Sequence, residues 1–248
     1  ADFIAAEDTR VSMKLLNHFG VKKPLISYHE HNHVTAGQSV LNRLLAGESC
    51  ALMTDAGTPA ISDPGEDLVR LCAENGVEVR AIPGCCAAVN ALAVSGLPTG
   101  RFTFEGFLTV NKKSRREHLN SLKGETRTMI FHEAPHKLRT TLNDLTEAFG
   151  PDRRISLCRE LTKLHEEVLR FTLAEAVSYY EENAPKGEYV LVVAGAAPKT
   201  GAVVTLEDGV AQVLALKEQG MRLKDAAKEV AEHTGLSKNE LYAAALER

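Results

Sequence analysis

The residues whose types and spacing could do chemistry are concentrated between Thr54 and Gly65, where the chain reads Thr-Asp-Ala-Gly-Thr-Pro-Ala-Ile-Ser-Asp-Pro-Gly. Glycine lets backbone amides approach a ligand closely, and a helix N-terminus favours a carboxylate or a phosphate. Asp55 and Asp63 would suit the amino or hydroxyl groups of a ligand. Neither the Walker pattern nor the dinucleotide fingerprint occurs here, so phosphate binding is not specifically indicated. We interpret the segment as a ligand-binding loop, with a merely structural turn as the alternative.

The elements on either side of this loop must hold it in place. Apolar residues from Cys50 onward predict a buried strand before it, and Asp63 before Pro64 predicts a helix start with Asp63 as the cap. In open α/β sheets, ligands bind in the crevice outside the carboxyl ends of the strands. The segment Pro83–Ala87 follows the next predicted strand and opens a helix of small residues, so the crevice is expected to continue there.

Strands that alternate with helices predict two α/β domains followed by a small helical piece. The predicted strands of the first domain are Phe3–Ala6, Leu25–Tyr28, the strand that begins at Cys50, and Val77–Ile82. The alternation favours a mostly parallel, doubly wound sheet there. A second α/β unit begins at Phe102, and Lys224–Leu246 has a helix–turn–helix cadence. We therefore divide the chain into domains 1–101, 102–197 and 202–248.

Two other groups of reactive side chains have plain structural alternatives. His29, His31 and His33 could share one face of an extended segment and bind a metal, but no further cluster has ligand spacing, so we expect no metal. A polar strand tip near the ligand site is the alternative. Adjacent Cys85 and Cys86 could include a nucleophile, although cysteines among alanines at a helix start more often serve packing.

Composition limits the possible partners. The chain has 248 residues with 44% hydrophobic and 25% charged side chains, and its net charge is −4, so any contact with nucleic acid must come from a local patch. One such patch is the run Lys112, Lys113, Arg115 and Arg116, which we place in an interdomain loop; a solvated face is the alternative. An odd number of cysteines, five, and no apolar run of roughly 18–20 residues indicate a reduced cytoplasmic protein without a membrane span.

Eight short motifs, taken together and in order, resemble those of the small-subunit rRNA methyltransferases within the tetrapyrrole (corrin/porphyrin) methylase superfamily. They are Ala6–Arg10, Tyr28–Asn32, Thr54–Pro59, Ile61–Gly65, Pro83–Gly84, Glu105–Leu108, Arg159–Lys163 and Lys186–Glu188. The resemblance covers the whole chain, including the C-terminal helical piece. It departs at the start, since the family opens with a strand and a Thr-Pro-Ile-Gly-Asn-type turn that this sequence lacks. We therefore expect the chain, which begins at Ala1, to be truncated at its N-terminus.

The resemblance implies two α/β domains of the tetrapyrrole methylase type with S-adenosylmethionine bound in the cleft between them, and a homodimer. It implies methylation of the ribose 2′-oxygen of a cytidine in the decoding region of 16S rRNA, with the small ribosomal subunit as partner. The methionine half of the cofactor would be held by Asp55, Ala56, Gly57, Thr58, Pro59, Ile61, Ser62, Asp63, Pro83, Gly84, Cys85, Cys86 and Ala87. Adenine would lie near His132, Glu133, Leu161 and Glu188.

The reaction implied by the resemblance needs a base or a hydrogen-bond partner for the ribose hydroxyl. Polar groups at the strand tips are the candidates, namely Glu7, Asp8, His29 and Glu133, of which we favour His29 or Glu7. Phosphates of the RNA would be held by Lys112, Lys113, Arg115, Arg116, His136, Arg139 and Lys163. A tetrapyrrole methylase of the same fold, or a non-enzymatic protein that binds nucleic acid through its C-terminal helices, is the alternative.

Overall fold

The computed structural model of the chain describes residues 1–197 and 205–247. Contacts divide the chain into two compact units, Ala1–Ala196 and Ala197–Arg248. The first unit contains the elements β1 (Phe3–Ala6), α1 (Thr9–His18), β2 (Leu25–Ser27), α2 (His33–Leu45), β3 (Cys50–Met53), α3 (Glu66–Glu74), α4 (Ala87–Ser95), β4 (Phe102–Phe107), α5 (Lys112–Ser121), β5 (Thr128–Glu133), α6 (Leu138–Phe149), β6 (Arg154–Arg159), β7 (Glu167–Thr172), α7 (Leu173–Glu182) and β8 (Tyr189–Val193). The second unit contains α8 (Leu206–Glu218), α9 (Leu223–Thr234) and α10 (Lys238–Leu246).

The N-terminal sheet has three parallel strands in the order β2-β1-β3, with β1 in the middle and wholly buried. A β1 strand of Phe-Ile-Ala-Ala buries both faces because helices cover both sides of a parallel sheet. The register pairs Ala6 with Ser27 on one side and with Met53 on the other, so the three strands end at one level. The polar residues that follow each strand therefore share one edge of the sheet.

Three local predictions for this half of the chain are wrong. Val77–Ile82 is not a strand, because none of the described strands lies beside it to complete its backbone hydrogen bonds; the Ile82 side chain is 85% exposed. Asp63 does not cap α3, since the N-cap is Gly65 at φ 143°, a conformation that favours glycine. The helix expected from Pro83 begins only at Ala87.

The second sheet is mixed, with five strands in the order β4-β5-β8-β6-β7. The β4–β5 pair is parallel, and the other pairs are antiparallel. Alternate residues of its central strands point to opposite faces. One face packs on helix α4 through Ile130, Cys158, Val190 and Val192, whereas the other joins the main core through Met129, Phe131, Ile155, Leu157, Leu191 and Val193. The prediction of two α/β domains of the tetrapyrrole methylase type is consistent with these two sheets.

Helix α4 packs on the second sheet rather than on the sheet that precedes it in the chain. Ala88, Ala91 and Leu92 of this helix pack on the second sheet, although the helix lies in the N-terminal half of the sequence. At its C-terminus Arg170 of β7 donates from Nε to the Ser95 carbonyl at 3.0 Å, which supplies a partner for a helix-end carbonyl and a positive charge at the negative end of the helix dipole. The predicted domain boundary between residues 101 and 102 falls directly before β4, in the connection that follows α4. It stays a prediction.

The C-terminal unit is a three-helix cluster with its own core, consisting of Val210, Val213, Ala226, Ala227, Val230, Leu241 and Ala245. Thr205 caps α8 and Ser237 caps α10, and α9 ends at Gly235 in the left-handed conformation, which gives the tight turn of the α9–α10 pair. Of the predicted domain 202–248, residues 202–204 and residue 248 lie outside the described ranges. None of the helices in the described part of the chain has the length and apolar character needed to cross a membrane.

Candidate functional site

The tips of β1 and β3 are joined by a small network of carboxylates and backbone amides. The Asp55 amide donates to Glu7 Oε2 at 3.1 Å, and the Asp8 amide donates to Asp55 Oδ1 at 3.3 Å. Asp8 also caps α1 by accepting from the Arg10 amide at 2.8 Å. The Arg10 guanidinium and this amide together lower the pKa of Asp8 to about 2. Glu7, Asp8 and Asp55 are thus held at the shared sheet edge.

The loop from Asp55 to Gly65 has a strained backbone. Ala60 and Ser62 both have positive φ, 66° and 64°, which costs a non-glycine residue free energy. Gly65 could not be replaced without rearrangement, since a Cβ there would lie 2.7 Å from Leu52 Cδ2. Strain of this kind persists only where surrounding contacts impose it, and it is concentrated at ligand sites.

Asp63 is the most perturbed carboxyl of the loop. Its half-buried position raises its pKa to about 6, and the neighbouring negative charges of Glu7, Asp55 and Glu188 contribute in the same direction. Glu188 directly precedes β8 of the second sheet. The loop approaches the second sheet also at Ser62, whose Oγ lies 3.8 Å from the Cβ position of Gly106 in β4. Such a group of carboxylates suits a cationic or hydrogen-bond-donating ligand.

The loop also contacts the segment that precedes α4. Thr58 Oγ1 donates to the Cys85 carbonyl at 2.8 Å, and a Cβ on Gly57 would lie 3.6 Å from the same oxygen. On the side of the second sheet, a Cβ on Gly106 of β4 would lie 3.8 Å from Ser62 Oγ. The two segments predicted to hold the methionine half of the cofactor are thus brought together. Most of their residues are exposed to solvent, namely Asp55, Ala56, Gly57, Ile61, Ser62, Pro83, Gly84, Cys85 and Ala87. The others are partly exposed, namely Thr58, Pro59, Asp63 and Cys86.

On the second sheet, one of the residues predicted to lie near adenine, His132, has a side-chain nitrogen without a hydrogen bond among the described residues. Its Nε2 is buried without a hydrogen-bond partner among the described residues, and its ring contacts Phe104 and Phe107 edge-on at 5.2 and 5.4 Å. Burial lowers the pKa of His132, which opposes protonation. A buried nitrogen without a partner is costly and indicates a missing hydrogen-bonding group.

Glu133 and Leu161 have different surroundings from His132. Glu133 is buried and turned toward α6, where Oε1 accepts from the Ala134 amide and Oε2 from Thr141 Oγ1. Its acceptor oxygens are therefore already engaged, which makes it a poor candidate for a general base. Leu161 is half-buried and, with Cys86, packs against the cluster between α4 and the second sheet.

Hydrogen bonds and salt bridges among Glu160, Lys163 and Glu188 connect the end of β6 to the start of β8. Glu160 Oε1 accepts from the Glu188 amide and from Lys163 Nζ, both at 2.9 Å, and Lys163 Nζ also reaches Glu188 Oε2 at 2.9 Å. Gly187 at φ 76° leaves the space that the Glu160 side chain fills. The motifs Arg159–Lys163 and Lys186–Glu188 contain these residues, but nothing in the sequence indicates that their side chains meet. Lys163, predicted to hold phosphate, is thus shared by two carboxylates.

The histidines after β2 stand at the same sheet edge as Glu7. The His29 amide donates to Asn32 Oδ1 at 2.8 Å, and His29 Nδ1 is buried without a partner in the described ranges. The His29 and His31 rings lie 5.9 Å apart, whereas His33 pairs with Asp67 at 2.6 Å. Within residues 1–197 and 205–247, no three His, Cys, Asp or Glu side chains are placed to hold a metal ion.

The basic run lies in a helix, so the prediction of an interdomain loop is wrong: Lys112–Arg116 forms the first turns of α5, capped by Asn111. Arg115 points inward, where Nε donates to Asp144 Oδ2 at 2.6 Å, and both side chains are about one-tenth exposed. Arg115 is therefore a structural residue and we omit it from any RNA surface. Arg116 reaches Glu147 at 2.5 Å on the exposed face.

The other predicted phosphate ligands are exposed. Lys112 and His136 are open to solvent, and Lys113 lies 3.9 Å from Glu117. Arg139 Nη2 donates to the Asn183 carbonyl at 3.4 Å, beyond the C-terminal end of α7. These side chains remain available to a polyanion, because exposed ion pairs are weak and exchange easily.

A cavity of about 390 Å³ adjoins the carboxylate network. It is lined by the tip of β3, including Thr54 and Asp55, and by the face of α1 that carries Ser12, Leu15 and His18. The sheet edge therefore offers both a recess and polar groups around Asp55.

Comparisons with known proteins agree with this architecture. Residues 1–177 match the family model "Tetrapyrrole (Corrin/Porphyrin) Methylases", and residues 204–248 match "RsmI C-terminal HTH domain". The chain is 47% identical over 99% of its length, and 88% of the relative, to "Ribosomal RNA small subunit methyltransferase I" of Synechocystis sp.. The protein of the same name from Halalkalibacterium halodurans is 46% identical, covering 98% of this chain and 84% of the relative.

Among solved structures, the methyltransferase CobJ superposes with a TM-score of 0.59 at 19% sequence identity. The superposition covers 81% of this chain and 86% of that one. At this identity the likeness concerns the fold alone. It supports the assignment of two α/β domains of the tetrapyrrole methylase type.

Proposed function

Because the chain belongs to the ribosomal RNA small subunit methyltransferase I family of tetrapyrrole methylases, we propose that its substrate is the RNA of the small ribosomal subunit. The observation that carries this proposal is identity of 47% spread over 99% of the chain, since it includes both α/β sheets and the C-terminal helices. The chain is an S-adenosylmethionine-dependent methyltransferase.

The residues at the sheet edge fit this cofactor. Its sulfonium and amino groups are cationic, and the half-buried Asp63 lies near the negative charges of Glu7, Asp55 and Glu188. The orphan Nε2 of His132 offers a hydrogen bond on the side of the second sheet. When bound, S-adenosylmethionine supplies an activated methyl group for in-line displacement by a nucleophile. The chain's own contribution is to align the two reactants and exclude water.

We propose that the nucleophile is the ribose 2′-oxygen of a cytidine in the decoding region of 16S rRNA. A ribose hydroxyl is a poor nucleophile at neutral pH, so a group that accepts or orients its proton would accelerate the reaction by about 10²–10⁴. His29 and Glu7 remain our candidates, because both follow strands that end at the same edge. His29 Nδ1 lacks a partner, whereas one Glu7 oxygen is occupied by the Asp55 amide.

The test is methylation of small-subunit rRNA by the parent chain and by the Glu7→Ala/His29→Ala double variant, read by ribose-methylation mapping. We expect one 2′-O-methyl cytidine with the parent and none with the variant. Calorimetric titration with S-adenosylhomocysteine should give similar affinities for both. Full activity of the double variant would remove both residues from the mechanism, and methylation of a tetrapyrrole but not of rRNA would overturn the proposed substrate.

We further propose that the enzyme acts as a homodimer in the cytoplasm, as expected for a protein that modifies ribosomal RNA. Exposed apolar side chains support an interface, among them Phe102, Phe104 and Phe107 on the edge strand β4. Light scattering of the purified chain should report twice the mass of one chain. A monomer at micromolar concentration would refute this part of the proposal.

A further inference from the structure

The second sheet carries another cavity, which none of the residues assigned above lines. Its volume is about 300 Å³, and its wall includes Arg159 at the end of β6, Glu167 at the start of β7, Tyr179 and Tyr180 of α7, and Lys186 and Tyr189 around the start of β8. This is the lower end of the volume range of ligand pockets in proteins.

Arg159 brings an unsatisfied donor to this cavity. Its Nη1 donates to Glu167 Oε2 at 3.1 Å, but its Nε is buried and has no hydrogen-bond partner among the described residues. A buried N–H group of a guanidinium that lacks an acceptor costs free energy, and an anion would remove that cost. Arg159 therefore lines the cavity with a guanidinium whose donors are not all used within the described part of the protein.

A second cation lines this cavity, and a third is bonded to one of its lining residues. Lys186 is exposed, and its ammonium forms no salt bridge with a carboxylate in the described part of the chain. Arg139 donates to the carbonyl of Asn183, a residue that also lines the cavity. Of the lining residues only Glu167 is acidic, so the cavity has a positive balance.

Three tyrosines give the cavity an aromatic wall. The ring centroids of Tyr179 and Tyr180 are 5.0 Å apart, and those of Tyr180 and Tyr189 are 5.9 Å apart. Tyr180 and Tyr189 belong to the core behind the cavity, so of the three tyrosines Tyr179 is the one whose partly exposed ring a base can reach. Burial raises the pKa of Tyr180, so its hydroxyl stays protonated and polar. Aromatic side chains beside cations are the usual means of binding an unstacked base together with its phosphate.

We propose that this cavity binds one nucleotide of the RNA substrate, with its phosphate on Arg159 and Lys186 and its base against the ring of Tyr179. The inference rests on the proposed function for the identity of the RNA. Because the cavity shares no residue with the carboxylate network, we assign it a nucleotide other than the one methylated. Its role is to fix the position of the RNA on the second sheet.

Direct binding of small probes to the full chain tests this proposal. Cytidine 5′-monophosphate should bind, and Lys186→Gln should weaken its binding by about tenfold, the loss expected for one charge-assisted hydrogen bond. Tyr179→Leu should weaken it as well, whereas Lys123→Gln, at an exposed lysine outside the cavity, should not. Arg159→Lys keeps the charge but lacks the Nε donor, and should also bind less tightly; if that variant does not fold, Lys186→Gln decides.

Competing probes separate the possible ligands. Inorganic phosphate that competes as well as the mononucleotide would overturn the proposal, because the base would then contribute nothing. Displacement by S-adenosylhomocysteine would overturn it too, since the cavity would belong to the cofactor site. Equal affinities of Lys186→Gln and Lys123→Gln for cytidine 5′-monophosphate would also overturn the proposal.

A kinetic comparison separates this proposal from the proposed function. Lys186→Gln should raise KM for rRNA without lowering kcat, and it should reduce the salt dependence of RNA binding by about one phosphate contact. An unchanged KM and salt dependence in an active enzyme would refute the nucleotide site alone. Failure of the parent chain to methylate rRNA, with mononucleotide binding intact, would refute the proposed function alone.

Discussion

At the scale of single residues, Asp63 couples the ligand-binding loop to pH. Its raised pKa, about 6 against an ordinary value of 3.8, means that the folded chain binds a proton more tightly than the unfolded chain does. The contribution of Asp63 to stability is therefore fully present below the unfolded value and is lost as the pH rises through about 6. Above that pH the ionised carboxylate is available to a cationic ligand, at a cost to the fold.

We predict that Asp63→Asn reduces the fall in the free energy of unfolding between about pH 4 and about pH 7. Urea unfolding of both proteins across this range measures the effect. Asp152→Asn, at an exposed aspartate, is the matched control and should leave the pH dependence as it is in the parent. If Asp63→Asn and the parent have parallel pH profiles, the carboxyl is not strained by its neighbours.

Arg115 and Lys112 stand three residues apart but have opposite surroundings. Arg115→Met leaves Asp144 buried without its partner, and we expect it to destabilise the fold by about 3–5 kcal/mol. Lys112→Met changes an exposed residue, so stability should change by less than about 0.5 kcal/mol, while rRNA binding weakens. Denaturant titration and filter binding of rRNA distinguish the two effects.

The double variant Arg115→Met/Asp144→Leu provides the internal check of that ion pair. Replacing both charges by apolar groups of similar volume should recover much of the lost stability. If it does not, the loss in Arg115→Met comes from its hydrogen bonds to the carbonyls of Thr109 and Val110, both at 3.2 Å, rather than from the uncompensated carboxylate.

At the scale of elements, the β3–α3 connection depends on a glycine that cannot accept a side chain. Gly65→Ala combines an unfavourable φ with a Cβ that would lie 2.7 Å from Leu52. We expect it to cost more than Gly76→Ala, which has positive φ but open space around it and should lose about 1–2 kcal/mol. Denaturant unfolding ranks the two, and calorimetry should show weaker S-adenosylhomocysteine binding only for Gly65→Ala. Equal losses would mean that Leu52 moves aside freely.

The order of the elements could be predicted from the sequence because hydrophobic period and cap residues act locally. Asp8 at the start of α1 and Gly235 at the end of α9 are such local signals. Val77–Ile82 was mispredicted because a strand exists only with a neighbour to pair with, and its apolar residues say nothing about that neighbour. The inward position of Arg115 depends likewise on Asp144, twenty-nine residues away along the chain.

The candidate site was predictable in composition but not in geometry. The Asp55–Asp63 and Pro83–Ala87 segments could be chosen from their glycines, prolines and polar residues. The effect of Glu188 on Asp63 depends on where the two sheets meet, and the orphan nitrogens of His29 and His132 depend on the residues that the fold packs around them. No pattern within one segment of the sequence indicates which distant residues will lie beside it in the fold.

At the scale of the whole molecule, the C-terminal helices form a separate unit with their own core. We predict that a chain ending at residue 197 keeps its fold and its affinity for S-adenosylhomocysteine, because the elements around Asp55 and His132 all precede that point. Its affinity for small-subunit rRNA should fall. Circular dichroism, calorimetry and filter binding test these outcomes; loss of cofactor-analogue binding in a folded truncated chain would contradict the division.

Helix α4 has a practical consequence for exchanging parts between relatives. It follows the first sheet in the sequence, but its buried face packs on the second sheet and its C-terminal carbonyl of Ser95 is bonded to Arg170 of that sheet. A chimera joined at residue 101 would set one parent's helix against another parent's strands and mismatch their side chains. Crossovers placed just ahead of Ala87 would instead transfer the helix together with the surface it covers, so recombination within this family should succeed more often at that junction.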